Sequence, residues 1–347
     1  MRRSLLVVPA AGVLAVAAFV FSLRPASTAD ASPTTAIRAC VAAHGNDTKQ
    51  RPETVACLTN ALVEAVRSDR YAEVLALRLE LEGTAANSSC HAAGHAAGKV
   101  LVEEFGASAT LERMFAGPEE APEYTCTAAL IHGLVAGSAS GTNPLPVERI
   151  ADQCIWLGGI NQRYQSECAH FFGHVVWDEV GELGDGLAER CKLVGVAKGW
   201  NPQRTCISGA IMQKFDLQAK HYDPENTEGR TKRPPTREEL RSLCSVFASG
   251  DQETREGCFG ALGWLAAVST NDVLSYDYTE PGWDDKAMTV YLEAIALCDG
   301  NDECHRNFVN HLRVNTFASG LAEKFCIAAK VDMANCRSII DRYTKKN

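Results

Sequence analysis

The chain has 347 residues and a formal net charge of −9 at pH 7, and only 7% of its residues are aromatic. An acidic surface with few aromatic side chains argues against nucleic acid and against anionic membrane surfaces as partners, because both attract basic proteins. The sequence also lacks a P-loop, a dinucleotide-binding fingerprint, the His-Glu-x-x-His motif of zinc peptidases and the Gly-x-Ser-x-Gly motif of serine hydrolases. Several common enzyme classes are therefore excluded.

Residues 1–31 have the features of an export signal. Arg2 and Arg3 precede an apolar run over residues 5–23, and small residues follow at positions 29–31. A charged start, an apolar middle and a small-residue end are typical of a secretory signal peptide, which predicts an extracytoplasmic (periplasmic or secreted) protein. The apolar run is also just long enough to span a bilayer, so an uncleaved N-terminal membrane anchor is the alternative.

The fourteen cysteines of the chain, behind an export signal, predict seven disulfides formed in an oxidising compartment. Many recur 14 or 15 residues apart, with a polar stretch between two helical apolar patterns, which indicates two helices clamped across a turn. The pairs predicted in this way are Cys40–Cys57, Cys154–Cys168, Cys191–Cys206, Cys244–Cys258, Cys298–Cys304 and Cys326–Cys336. Cys90 and Cys126 remain, and we expect them to bridge two successive units; ligation of a metal by their thiolates is the alternative.

The predicted fold class is all-α, an array of disulfide-stapled αα-hairpin repeats with a solenoid-like arrangement. The second cysteines of the pairs recur every 38 to 52 residues, as in helical-hairpin repeats, and strand signals are scarce. In architecture the chain resembles the secreted, cysteine-rich Sel1-like αα-repeat proteins over roughly residues 150–340, but its cysteine spacing is wider and their Ala/Gly/Leu signature is absent. The resemblance implies stacked helical hairpins and assigns no functional residue.

We divide the chain after the signal into three helical segments. An N-terminal hairpin covers residues 32–86, histidine-bearing repeats cover residues 87–216, and C-terminal repeats cover residues 217–347. The last segment contains two loop insertions, at residues 217–238 and 270–285, and the second is rich in aromatic and acidic residues. Long loops of this kind either connect repeats or form a lid or binding surface.

The sequence His-x-x-Gly-His occurs twice in the chain, at residues 91–95 and 170–174. On a helix, residues four apart lie one turn apart on the same face, so both imidazoles of each copy project in one direction. That spacing lets two histidines bind one metal ion. The two motifs therefore predict two pairs of metal ligands, which are His91 with His95 and His170 with His174.

The cysteine spacing adds a fifth histidine. His132 lies six residues after Cys126, and His174 lies six residues after Cys168. Later repeats have Met212 and Trp264 at the same distance from their cysteines. Because neighbouring hairpins stack such helices side by side, we expect the five imidazoles to converge on one site between helices. Asp178, one turn beyond the second motif, is a further candidate, either as a ligand or as a group that orients an imidazole.

The histidine-rich site predicts an exported metal-binding protein. Imidazole ligands suit zinc, copper or iron, and metal-dependent redox or hydrolytic chemistry is the activity expected of an enzyme with such a site. Two alternatives stay open: the histidines are buried core residues of a non-catalytic scaffold that binds a protein or glycan, or they do acid–base work without a metal. The partner is left open between a small molecule and a protein. His44 and His221 are expected in solvated loops, and His305 and His311 in structural positions.

Overall fold

A computed structural model describes residues 32–44, 52–77, 86–116, 125–195, 201–215, 235–270, 281–311, 321–332 and 336. Within these residues the regular secondary structure is entirely helical, which confirms the predicted all-α class. The predicted signal at residues 1–31 lies outside the described residues. No helix in the described ranges has the length and apolar character needed to cross a membrane.

Fifteen α-helices are described, and we number them in chain order. They are α1 (Pro33–His44), α2 (Pro52–Arg67), α3 (Tyr71–Ala76), α4 (Ala86–Phe105), α5 (Ala107–Phe115), α6 (Thr125–Ser140), α7 (Val147–Ile160), α8 (Gln162–Val180), α9 (Asp185–Cys191), α10 (Pro202–Phe215), α11 (Arg237–Ser242), α12 (Gln252–Ser269), α13 (Trp283–Ile295), α14 (Asp302–His311) and α15 (Leu321–Ala328). Short 3-10 turns extend α9, α11 and α13 at their C-terminal ends.

Seven of these helices pack side by side in chain order. α2 packs on α4, α4 on α6, α6 on α8, α8 on α10, α10 on α12, and α12 on α14. Other helices pack against the flanks of this row, with α1 against α2, α7 against α8, α9 against both α8 and α10, and α13 against α12. The row places α4, α6 and α8, which carry both motifs and His132, next to one another.

Glycines in the motifs let neighbouring helices approach until their backbones touch. A Cβ added at Gly94 of α4 would lie less than 3.0 Å from the backbone of α6 at Cys126, and one added at Gly173 of α8 would lie closer still to the backbone of α10 at Cys206. Glycine inside a helix is unfavourable by roughly 1 kcal/mol relative to alanine, so close packing must outweigh that cost here. The imidazoles beside these glycines are therefore held at the seams between helices.

Seven disulfides join all fourteen cysteines, and they comprise the six pairs predicted from spacing together with Cys90–Cys126. The Cα–Cα distances run from 5.2 to 6.3 Å, within the usual range for disulfides. The Cys90–Cys126 bond joins α4 to α6, so the alternative that these thiolates bind a metal is wrong. Each loop of about 15 residues closed in this way contributes roughly 3 kcal/mol in the chain-entropy model.

The ends of α8 are set by local sequence. Asn161 caps its N-terminus, since the side-chain oxygen accepts a hydrogen bond from the backbone N–H of Arg163 at 2.8 Å. Gly181 ends the helix in the left-handed region with a φ of 73°, and its N–H donates to the carbonyl of Trp177. Phe172 is completely buried on the inner face, which sets the rotation of α8 and turns the second motif toward its neighbours.

The two predicted insertions end earlier than the sequence pattern indicates. Thr236 caps α11 through the N–H of Glu239, so the first insertion gives way to a helix at Arg237. α13 begins at Trp283, whose side chain is only 4% exposed and packs in the core. The parts of both insertions over residues 217–234 and 271–280, including His221, lie outside the described residues.

Candidate metal centre

The structure brings the five predicted histidines together where α4, α6 and α8 meet. They are His91 and His95 on α4, His132 on α6, and His170 and His174 on α8. The centroids of neighbouring imidazole rings lie 4.8 to 5.8 Å apart. All five residues are partly or fully buried, and His132, which contacts both pairs, is 6% exposed. We call this group the five-histidine cluster.

Three members of the cluster, His91, His95 and His132, form a compact set of donors that we call the histidine triad. One ligand atom from each lies within 4.8 Å of those of the other two. The Nε2 atoms of His91 and His95 are 3.2 Å apart. Two nitrogens bound to one tetrahedral zinc at about 2.0–2.1 Å are separated by about 3.3 Å, so this pair already has the spacing of a chelate. The ligand atom of His132 lies within 4.8 Å of this pair, so three imidazoles are close enough together to hold one metal ion.

The other two members, His170 and His174, form a second pair with the same spacing, which we call the histidine pair. Their Nε2 atoms are 3.4 Å apart, again close to the separation of two ligands on one metal. The ring of Phe171 stacks on His174 at 4.6 Å and on His132 at 5.0 Å. Phe171 therefore packs against both groups and holds the planes of their rings.

Glu167 is a functional candidate that the sequence reasoning missed. Its Oε2 lies 3.2 Å from Nε2 of His132, and its Oε1 lies 3.0 Å from Nε of Arg163. Its side chain is 20% exposed, which places a carboxylate at the edge of the cluster. A signal was present in the sequence, because Glu167 precedes His170 by three residues and thus shares a helix face with it.

The structure places Asp178 away from the imidazoles, on the exposed end of α8. Nδ1 of His174 donates to the amide oxygen of Gln213 at 3.0 Å, and the amide nitrogen of Gln213 donates to Oδ1 of Asp178 at 3.3 Å. Asp178 thus reaches the cluster through Gln213. Two roles were predicted for Asp178, and this geometry favours the one in which it orients an imidazole. Direct ligation of a metal by Asp178 stays a prediction.

Burial favours the neutral form of four imidazoles of the cluster, which are those of His91, His95, His132 and His170. Desolvation lowers the pKa of His91, and lowers the pKa values of His95 and His132 well below 6.5. Desolvation also lowers the pKa of His170 to about 3, and the charge of Glu167 opposes this shift only in part. A neutral imidazole carries the lone pair that binds a metal, so these side chains are in their ligand form at neutral pH.

The remaining histidines lie outside the cluster. His311 lies at the end of α14, where desolvation lowers its pKa and its Nδ1 lies 2.8 Å from the carbonyl oxygen of Asn307. His305, on the same helix, is half-buried. His44 is the last residue of α1, so its predicted position in a loop is wrong, and its side chain lies outside the described residues.

A groove of about 290 Å³ lies between α5 and α7, away from the cluster. Its lining includes Leu111, Leu145, Arg149, Gln153 and Trp156. Trp156 and Leu145 are 42% and 37% exposed, so apolar surface is open to solvent here beside a charged side chain. Such a mixture of aromatic, aliphatic and charged groups suits the binding of another molecule.

Comparison of the chain with protein-family models, with curated proteins and with solved structures found no match. The architectural resemblance to Sel1-like repeats therefore stays an interpretation of the cysteine pattern.

Proposed function

We propose that this protein is an exported metal-binding protein and that the histidine triad holds one transition metal ion. The observation that carries the proposal is the convergence of three imidazole ligand atoms within 4.8 Å of one another, on two helices joined by a disulfide. Sites built from imidazole suit zinc, copper and iron. The lowered pKa values of His91, His95 and His132 support the proposal, because metal binding near neutral pH then displaces no proton from them.

Three protein ligands leave one position of a tetrahedral metal open to water or a substrate. A bound zinc ion would supply a water of lowered pKa for hydrolysis, and copper or iron would supply redox chemistry, which are the activities that we expect of an enzyme with this site. The protein itself contributes the three imidazoles as ligands and the carboxylate of Glu167, which contacts His132 and orients its ring.

The proposal includes export and a repeat architecture. Seven disulfides are typical of an oxidising extracytoplasmic compartment, and the signal-like residues 1–31 agree with a periplasmic or secreted protein, free or anchored by residues 5–23. The row from α2 to α14, in which each helix packs on the next, supports a solenoid of helical hairpins.

Metal analysis of the protein purified without a histidine tag tests this function. We expect zinc, copper or iron in the protein as isolated, and about one equivalent of zinc to bind when the metal-free protein is titrated with zinc. His95→Ala should remove metal binding by the triad, whereas His305→Ala, outside the cluster, should bind metal like the parent. Loss of tight zinc binding in both variants, or in neither, would contradict the assignment to the triad.

A second candidate function is non-catalytic binding of a protein or glycan by a helical scaffold. The open groove beside Trp156 supports this candidate, because its lining combines an exposed indole for stacking with charged groups of both signs, including Arg149 paired with Asp152. The two functions differ in their response to metal. A protein that binds no zinc or copper, and that has the same thermal stability with and without these ions, would favour the scaffold.

A further inference from the structure

The second His-x-x-Gly-His motif contacts its neighbouring helix in the same register as the first. A Cβ at Gly94 would meet the carbonyl of Cys126 and the N–H of Leu130, four residues later. A Cβ at Gly173 would meet the carbonyl of Cys206 and the N–H four residues after it, in Ala210. The α8–α10 packing therefore repeats the α4–α6 packing residue for residue at the glycine contact.

This register identifies the counterpart of the third triad ligand. His132 lies six residues after Cys126 on α6, and Met212 lies six residues after Cys206 on α10. By this register Met212 on α10 corresponds to His132 on α6, and we infer that its side chain faces the histidine pair as His132 faces His91 and His95. Met212 is 9% exposed, so its thioether is inside the protein and shielded from bulk water.

Hydrogen bonds set the tautomer of His174 in a way that suits metal binding. Gln213 donates its amide N–H to the carboxylate of Asp178, so the amide oxygen faces His174 and accepts a hydrogen bond from Nδ1. With the proton on Nδ1, the Nε2 atom carries a lone pair and points it toward Nε2 of His170, 3.4 Å away. Gln213 and Asp178 therefore act as positioning residues for the second motif.

We propose that His170, His174 and Met212 form a second metal site, beside the histidine triad, that prefers copper(I). Two imidazoles and a thioether make a softer donor set than three imidazoles, and thioether sulfur selects copper(I) over zinc. The inference rests on the proposed function, because the triad is the template from which the equivalent position of Met212 is identified. The cluster then holds two metals of different character, one in a nitrogen-only site and one in a nitrogen–sulfur site.

Copper(I) titration in a background without the triad tests the second site alone. His95→Ala protein, made metal-free, is titrated anaerobically with copper(I) against a colorimetric copper(I) chelator. We expect about one equivalent to bind in this background and sulfur to be visible in the first coordination shell by X-ray absorption. Adding Met212→Leu should weaken copper(I) binding by roughly tenfold to a hundredfold, which is the effect of removing a residue that contacts a metal ligand. The same change should abolish the copper–sulfur signal.

Matched variants separate ligation by Met212 from its contribution to packing. Met114→Leu replaces a completely buried methionine on α5, outside the cluster, and should leave copper(I) binding unchanged. Met212→His should keep a metal site but replace the copper–sulfur signal by nitrogen only. This variant also tests the proposal if Met212→Leu fails to fold.

The outcomes distinguish the second site from the triad. No copper(I) binding in the His95→Ala background, or equal copper(I) affinity with and without Met212→Leu, would overturn the second site while zinc binding by the triad remains. If the parent protein binds neither zinc nor copper(I), both the second site and the proposed metal-binding function are wrong. Copper–sulfur scattering that persists in both Met212 variants would also overturn the proposal.

Discussion

At the residue scale, the contact between Glu167 and His132 controls which nitrogen of His132 can bind a metal. Oε2 of Glu167 lies 3.2 Å from Nε2 of His132, and a carboxylate in this position accepts the Nε2 proton. The lone pair of a neutral His132 is then on Nδ1. Arg163 contacts the other oxygen of Glu167 at 3.0 Å and keeps the carboxylate in place. Carboxylate partners of this kind orient metal-bound histidines in many proteins.

Glu167→Gln should weaken metal binding by the triad by about tenfold to a hundredfold and leave the fold intact. The amide has the same shape as the carboxylate, but it lacks the charge that holds the proton on Nε2 of His132. Zinc affinity, measured by competition with a chelator, checks the effect. Glu103→Gln changes an exposed carboxylate on α4 and serves as the control, and equal zinc affinity in both variants would count against an orienting role for Glu167.

The metal-free protein should lose stability as the pH falls below about 6.5, because its buried histidines resist protonation. His170 has a folded pKa of about 3, whereas its unfolded pKa is near 6.5, so the unfolded state binds more protons between these values. Each such histidine lowers the free energy of unfolding by up to about 1.4 kcal/mol per pH unit in this window. Denaturant unfolding at pH 7 and pH 5 measures the loss.

A variant assigns this pH dependence to the cluster. His170→Gln removes one titrating group and should reduce the loss of stability between pH 7 and pH 5, whereas His305→Gln on α14 should change it less. Unfolding free energies that are the same at both pH values in the metal-free parent would show that the imidazoles are not kept neutral by burial.

At the scale of elements, the two motifs act through pairs of helices. Each motif supplies imidazoles from one helix and a glycine against which the next helix packs, so the ligands and the close approach come from the same five residues. The helical spacing of each pair could be predicted from the sequence, because residues four apart on a helix share a face regardless of the fold. Which helix provides the third ligand depends on the packing between α4 and α6 and between α8 and α10.

Gly173→Ala should destabilise the protein by about 1–3 kcal/mol, since the added methyl group would overlap the carbonyl of Cys206 and push α10 away from α8. Gly159→Ala on α7 is the matched control, because a Cβ there meets no atom within 4 Å. That variant should be neutral or slightly stabilising through helix propensity. Thermal or chemical unfolding of both proteins gives the comparison, and equal stability of the two variants would contradict backbone contact at Gly173.

At the scale of the whole molecule, disulfides hold the row of helices together, and their positions relative to the cluster differ. Cys90–Cys126 joins the two helices that carry the triad and closes a separation of 36 residues. Cys298–Cys304 lies at the other end of the row and closes a separation of 6 residues. The two bonds therefore stabilise different parts of the chain.

Replacing both cysteines of a pair by serine should have different effects at the two ends of the row. Loss of Cys90–Cys126 should cost about 4 kcal/mol in the chain-entropy model and weaken zinc binding, because α4 and α6 would no longer be joined beside the triad. Loss of Cys298–Cys304 should cost about 2 kcal/mol and leave zinc affinity unchanged. Unfolding curves and zinc titrations measure the two effects separately, and unchanged zinc affinity in the first variant would argue against a role for that disulfide in the site.

The sequence by itself determined the all-α class, the cysteine pairing by spacing and the position of two imidazoles on one face in each motif. These features are local, because helical periodicity and disulfide loops of about 15 residues depend on neighbours in the chain. The tertiary structure decided that Glu167 contacts His132 and that Asp178 reaches His174 through Gln213. Those relations join residues about 35 to 40 positions apart on different helices, and only the packing of helix on helix at the glycine contacts sets them.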